Sequence, residues 1–323
     1  MNLFNKLSPK PFSPRPVSPA AGAAWLVALL LFGGCASDPP RSARTASGDL
    51  VAAVLAARDL AEELKPREIL VVFDLDNTLL AMDRALGSDD WYRWQRSLGD
   101  RPGCVPGRVP ELLKAQGALY YAGSMHATQA NAGALVQDLQ NEGFIVIALT
   151  ARGHEFRLPT FRELRRNRLD FSRHAIVISD PEERFAAVTW FPPGSSRPVH
   201  YEEGVMMVAG QHKGEMLREL IARHLGRPLK AVVAIDDQAD NIAAFESSLA
   251  ALGLPYRLFL YTGGTDNAPF PADEAAADWQ RVAPALKTLQ DVYGDVHYDM
   301  PDHLADPACE SAGDTSGAPA SGN

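Results

Sequence analysis

The stretch Ile69-Leu-Val-Val-Phe-Asp74-Leu-Asp76-Asn-Thr78-Leu-Leu carries the fold assignment. Five apolar residues run straight into two carboxylates spaced two apart, and then a hydroxyl. An apolar run of this length fits a strand buried on both faces, as in a parallel sheet. Asp74 then stands at the strand's carboxyl end, where open α/β sheets place their ligands. Neighbouring carboxylates repel one another and are costly to take out of water. A strand that delivers two of them side by side needs a counter-charge, and a divalent cation would be one.

The pattern repeats along the chain. Phe144 to Leu149 is a second apolar run and ends in Thr150-Ala151-Arg152, and Ala231 to Ile235 ends in Asp236-Asp237. Ala175 to Ser179 and Gly204 to Ala209 read as further short strands, and Tyr256 to Tyr261 as another. Helical periodicity is expected over Leu50 to Lys65, from a Thr128 cap to Glu142, over Phe161 to Leu169, from Lys213 to about Gly226, and over Ala239 to Ala251. Alternating strands and helices predict an α/β fold with a doubly wound, Rossmann-like parallel sheet. In such a sheet the strand ends share one edge, so Asp74, Asp76, Thr150, Asp236 and Asp237 are expected to converge.

Taken together, D-L-D-N-T at 74–78, L-T-A-R at 149–152, H-K-G at 212–214 and I-D-D-Q-A-D at 235–240 resemble the four motifs of the haloacid dehalogenase-like superfamily of phosphoryl-transfer enzymes. The resemblance covers roughly residues 66 to 265. Asp83 to Gln95 is also similar to an uncharacterised bacterial subfamily of that group. The resemblance implies Asp74 as a nucleophile that forms an aspartyl-phosphate and Asp76 as the general acid and base. It implies Mg²⁺ held by the Asp74 carboxylate, the Asp76 backbone carbonyl and Asp236, with Asp237 and Asp240 both open as supporting acids. Thr150, the backbone after it at Ala151 and Arg152, and Lys213 would hold the phosphoryl group. An acid at Asp76 favours phosphatase or phosphomutase chemistry over dehalogenation.

Two insertions are expected around this core. Met82 to Ala127, rich in Trp91, Tyr92, Trp94, Tyr120 and Tyr121, reads as a mainly helical cap, its aromatics core rather than a substrate platform. Residues 153–211 form a second insertion. The basic run Arg162, Arg165, Arg166, Arg168 and Arg173 reads as a solvated helix face, with phosphate steering as the alternative. His126, His154 and His212 read as polar surface or support rather than ligands.

The chain of 323 residues is 46% hydrophobic. Residues 1–34 hold Lys6, Lys10 and Arg15 and no acid, which leaves 28 basic residues against 40 acidic ones elsewhere. That balance argues against nucleic-acid binding. The apolar run Ala20 to Phe32 is shorter than the roughly 20 residues that span a bilayer and suits the core of a secretory signal. Phe32-Gly33-Gly34-Cys35 resembles a bacterial lipobox, which implies cleavage after residue 34 and lipidation of Cys35. The resulting expectation is an envelope protein anchored through lipid, in the outer membrane and facing the periplasm, with residues 35–48 a flexible tether. Cys104 and Cys309 are then free to pair, although residues 298–323 read as a disordered tail. The domain between them spans 49–297.

These readings point to a Mg²⁺-dependent phosphomonoester hydrolase with a small phosphorylated substrate. A non-catalytic envelope module on the same fold is the competing reading, and a phosphomutase is a third.

Overall fold

The computed structural model describes residues 42–99, 104–178, 187–264, 269–294 and 296–309. The chain begins with β1 (Ala43–Ser47), α1 (Val51–Leu60) and β2 (Ile69–Phe73). An insertion follows, entered by β3 (Leu80–Met82), built from α2 (Asp89–Leu98) and α3 (Leu112–Ala122), and left by β4 (Met125–Ala127). Next come α4 (Ala132–Asn141), β5 (Ile145–Thr150), α5 (Arg157–Arg166), β6 (Val188–Trp190), β7 (Val199–Glu202) and β8 (Val205–Met207). The chain continues through α6 (Lys213–Ala222), β9 (Ala231–Asp236), α7 (Ala239–Ala251), β10 (Tyr256–Tyr261) and α8 (Ala272–Tyr293).

The fold is mixed α/β, with a mostly parallel central sheet of 8 strands in the order β1-β10-β9-β2-β5-β8-β7-β6, flanked by helices. Only β7 runs against the other strands, antiparallel to β6 and to β8. Strand β2 is central, pairing Val71 with Val146 of β5 on one side and with Val233 of β9 on the other. The chain adds strands to both sides of β2, so the carboxyl end of β2 lies at a topological switch point, where such sheets leave a crevice.

The apolar strands bury both faces. Val71, Phe73, Val146, Ala148, Val233 and Ile235 face a core closed by α1, α4 and α5 through Val54, Leu60, Leu139 and Leu164. Leu70, Val72, Ile147, Leu149, Val232 and Ala234 face the other way, onto Leu217 and Leu220 of α6 and Ile242 and Phe245 of α7. Gly214 allows α6 and α7 to close up, because a Cβ there would lie 2.2 Å from the carbonyl oxygen of Ala244. That close packing fixes the first turn of α6, where Lys213 sits.

The insertion is tied at its base by the antiparallel pair β3–β4, with Leu80 opposite Ala127 and Met82 opposite Met125. Its own core is completed from far along the chain. Leu86, Trp91, Ala118 and Leu119 pack with Ala275, Trp279, Ala283 and Leu286 of α8. Trp91 is fully buried there, and truncating such a side chain costs about 3–5 kcal/mol. No element was expected between Tyr261 and the tail, so α8 is new to the description.

Several expectations are corrected. Residues 43–47 of the supposed tether form β1, which pairs in parallel with β10 from Ala43↔Arg257 to Ser47↔Tyr261. Residues 175–178 are not a strand; the place beside β5 is taken by β8, through Ala148↔Val205. Residue 179 lies outside the described residues. The second insertion extends the sheet through β6–β8. Helix α4 starts at Ala132 after Asn131, and the Thr128 hydroxyl donates instead to the carbonyl of Thr78. The tail is packed as far as Cys309: Met300 is buried, the Trp279 indole donates to the Leu304 carbonyl at 2.7 Å, and Cys309 forms a disulfide with Cys104. Residues 1–41, with the signal segment and Cys35, and residues 310–323 lie outside the described residues. Among the described residues no helix is long and apolar enough to cross a membrane.

Candidate active site

Asp74 directly follows β2, and its N–H donates to the Ile235 carbonyl at 3.0 Å. That bond carries the β2–β9 ladder one step further and sets Asp74 beside Asp236, the last residue of β9. Lys213 opens α6 behind the N-cap His212, whose Nδ1 accepts from the Glu215 amide at 3.2 Å. Its ammonium donates to Asp74 Oδ1 at 2.6 Å and to Asp236 Oδ2 at 2.8 Å. All three side chains are buried. Asp236 also accepts from the Gln238 amide at 2.9 Å and from Asn241 Nδ2 at 2.9 and 3.1 Å. One carboxylate oxygen from each of Asp74, Asp236 and Asp237 lies within 4.8 Å of the others. Asp240 is exposed on the first turn of α7 and stands outside this group.

Asp76 forms a separate wing. It sits in a tight turn in which the Asn77 amide donates to the Leu80 carbonyl at 2.8 Å and Asn77 adopts a left-handed φ of 57°. Arg152, two residues beyond the end of β5, donates to Asp76 from Nε at 3.0 Å and from Nη2 at 2.6 Å. Its Nη1 reaches Thr160 Oγ1 at 2.8 Å, and Tyr120 of α3 lies under the guanidinium at 4.4 Å. Arg152 is thus buried and engaged on all sides, holding Asp76 where it was expected to meet substrate. The Thr150 hydroxyl lies 3.4 Å from Asp76 Oδ2 and accepts from the Arg152 amide at 3.2 Å. Ala151 is exposed at the strand edge.

The electrostatics follow from this crowding. Burial, then the Asp236 charge, raises the Asp74 carboxyl well above the usual carboxylate range; the Lys213 ammonium works against both. Burial lowers Lys213, but Asp236 and Asp74 outweigh it and push the ammonium up, so Lys213 stays charged. Burial and the Asp236 charge push the Asp237 carboxyl up to about 6.

The insertion contributes two residues that sequence reading did not single out. Arg93 of α2 lies 2.7 Å from Asp89 and 3.6 Å from Asp237, so it spans from the insertion to the acid group. Asp89 is pushed up to about 6 by burial and then by the nearby Asp76 charge. The signal was present: Ser88 caps α2, accepting from the Trp91 amide at 3.0 Å, and Asp89 and Arg93 are four apart on one helix face. Arg93 also lines a cleft of about 860 Å³ with Asn77, Arg84, Trp94, His126 and Phe270. Asp74 and Asp236 are not on the wall of that cleft.

Arg162 donates to the carbonyls of Tyr120 at 2.9 Å, Tyr121 at 2.6 Å and Gly123 at 2.5 Å, closing the end of α3. Arg166 lies 3.3 Å from Glu163 and Arg173 reaches Asn141, so three of the five arginines of the basic run, with Arg162, are spent on structure. His126 pairs with Asp83 at 2.8 Å, and His154 is exposed.

The donor set suits a hard cation. Mg²⁺ takes oxygen ligands at about 2.0–2.1 Å in octahedral geometry and keeps several waters. Ligand oxygens on one octahedron then lie about 3–4 Å apart, compatible with the spread of Asp74, Asp236 and Asp237. The three carboxyl groups crowd one another beside the Lys213 ammonium, with Arg93 at the Asp237 side, and a divalent ion would favour their ionised forms.

No curated protein and no solved structure matches the chain. Membership of the haloacid dehalogenase-like superfamily, expected from the four motifs, is corrected: the matching family model is a different one, and no haloacid dehalogenase-like model matches. Each motif is only three to six residues long, and acids or hydroxyls at the carboxyl ends of parallel strands are a placement that many α/β proteins share. The chain belongs to the family described as "Protein of unknown function (DUF2608)", whose model matches residues 49–291.

Proposed function

We propose that the chain is a divalent-cation-dependent phosphomonoester hydrolase with Mg²⁺ as its cofactor. The observation that carries this reading is the convergence of Asp74, Asp236 and Asp237 at the switch point of the sheet, with Lys213 bridging the first two. Asp74, Asp236 and Asp237 would hold the cation, which supplies charge for an incoming phosphoryl group. The Asp74 carboxylate attacks phosphorus as the ester P–O bond breaks, giving an aspartyl-phosphate. Asp76 passes a proton to the leaving oxygen and takes one from the water that then cleaves the Asp74–phosphorus bond. Because Arg152 occupies both Asp76 oxygens, each proton transfer requires that pair to loosen. Lys213 orients Asp74 and Asp236, and Thr150 lies close enough to Asp76 to share the phosphoryl group.

The test is hydrolysis of p-nitrophenyl phosphate and a panel of sugar and nucleoside phosphates by the full-length chain, with Mg²⁺ or EDTA, beside Asp74→Asn. Activity that survives either EDTA or the substitution overturns the mechanism. One observation favours a non-catalytic binding module instead: Asp74 and Asp76 both pair with cationic side chains of the chain itself. Failure on every ester would move the reading there.

We propose further that Cys35 carries lipid and tethers the domain to the bacterial envelope. The support is the small-residue run before Cys35 together with a Cys104–Cys309 disulfide, which persists in oxidising compartments. Cys35→Ala should release the chain from membranes; unchanged fractionation sinks the anchor.

A further inference from the structure

We propose that Arg93 of the insertion is the anion ligand of this site, receiving the phosphoryl oxygens of a phosphomonoester or of inorganic phosphate as they enter from the adjoining cleft. This rests on the phosphatase reading of the acid group.

A phosphomonoester brings about two negative charges to a place already crowded with Asp74, Asp76, Asp236 and Asp237, so it needs positive charge that it can touch. Among the described residues, three cationic side chains pair with those acids. Lys213 is 4% exposed and donates to two carboxylates. Arg152 is 3% exposed and is bound by Asp76, Thr160 and the ring of Tyr120. Neither has a face open to a solute. The Arg93 side chain is 39% exposed, lines the cleft and lies within 3.6 Å of Asp237. It is the one cation of the three that meets both solvent and the acid group.

Its mounting fits the task. Asp89 and Asp90 lie one turn earlier on α2 and pair with the two Nη atoms, Asp89 at 2.7 Å. These contacts fix the guanidinium plane without burying it, and a planar guanidinium matches the oxygens of a phosphoryl group. Trp91, on the same helix, is locked in the core shared with α8. The presenting helix is therefore anchored, and Arg93 does not depend on a loop for its position.

The experiment measures binding directly. Inorganic phosphate is titrated calorimetrically into the full-length chain with Mg²⁺, for the parent, Arg93→Gln and Arg93→Lys, with circular dichroism as the folding control. A charge-assisted bond is worth about 1.5–3 kcal/mol, so Arg93→Gln should weaken phosphate roughly tenfold or more, with Arg93→Lys recovering part of the loss. Mg²⁺ affinity should hold or tighten, since a competing cation leaves Asp237. Where ester hydrolysis is measurable, KM should rise with Arg93→Gln while kcat changes less. Unchanged phosphate affinity in a folded Arg93→Gln chain overturns the proposal, even if hydrolysis is intact. Phosphate binding that needs Arg93, without turnover of any ester, would sustain it while sinking the hydrolase reading.

Discussion

Arg152 holds Asp76 at two points, Nε to Oδ2 at 3.0 Å and Nη2 to Oδ1 at 2.6 Å, in a pair where the arginine side chain is 3% exposed and the aspartate 19%. The pair joins the turn after β2 to the loop after β5, and Tyr120 brings the insertion against it. Removing one partner of a buried ion pair costs about 3–5 kcal/mol, less where the survivor can reach water. Arg152→Met should therefore lower unfolding free energy by about 2–4 kcal/mol, read by urea denaturation. A loss within error would mean the pair does not organise this edge of the sheet.

Lys213 separates two buried carboxylates that would otherwise face each other. In EDTA, Lys213→Met should destabilise the fold by about 3 kcal/mol, because Asp74 and Asp236 lose their counter-charge. Added Mg²⁺ should then raise the melting temperature of the variant more than that of the parent. Equal responses to Mg²⁺ would argue that these acids do not hold the cation.

Asp237 sets a pH dependence with a definite sign. Its folded-state carboxyl is pushed up to about 6 from an unfolded value near 3.8. Between those values the folded chain binds more protons than the unfolded one, so this group's contribution to stability declines as pH rises through the window. Without metal, the parent should lose roughly 2–3 kcal/mol relative to Asp237→Asn between pH 4 and 7. Mg²⁺ should bind more tightly as pH rises through the same range, since a ligand must first lose its proton. Denaturation of both proteins across that range, with EDTA or Mg²⁺, checks both statements; parallel curves would refute them.

The Cys104–Cys309 disulfide links the insertion to the segment after α8 across 205 residues. Disulfides contribute about 2–5 kcal/mol, chiefly by restricting the unfolded chain. Replacing both cysteines with serine should cost stability on that scale, and hydrogen exchange should quicken first in α2, α3 and α8. Reductant should weaken the parent and leave the double variant unchanged. Protection lost equally across the central sheet would show instead that insertion and core unfold as one unit.

The sequence alone determined the parts that depend on local pattern. Apolar runs of β2, β5 and β9 marked buried parallel strands, and a parallel sheet brings their ends to one edge, so Asp74, Asp76, Thr150 and Asp236 were legible as neighbours. Tyr256–Tyr261 and Ala239–Ala251 appear with the bounds that their periodicity indicated. The short motifs did not identify the family, because a few residues at strand ends record a local solution rather than descent. Tertiary structure alone decided which partner each charged group meets. Arg152 turned inward to Asp76, and Asp237 joined the acid group where Asp240 did not. Arg93 arrived from a helix outside the sheet. It also decided that β8, not residues 175–178, pairs with β5, since an apolar run becomes a strand only where an edge is open to pair with it. The packing of α8 onto the insertion and the Cys104–Cys309 bond belong to the same class. Each joins residues far apart in sequence, and nothing in either partner's local pattern names the other.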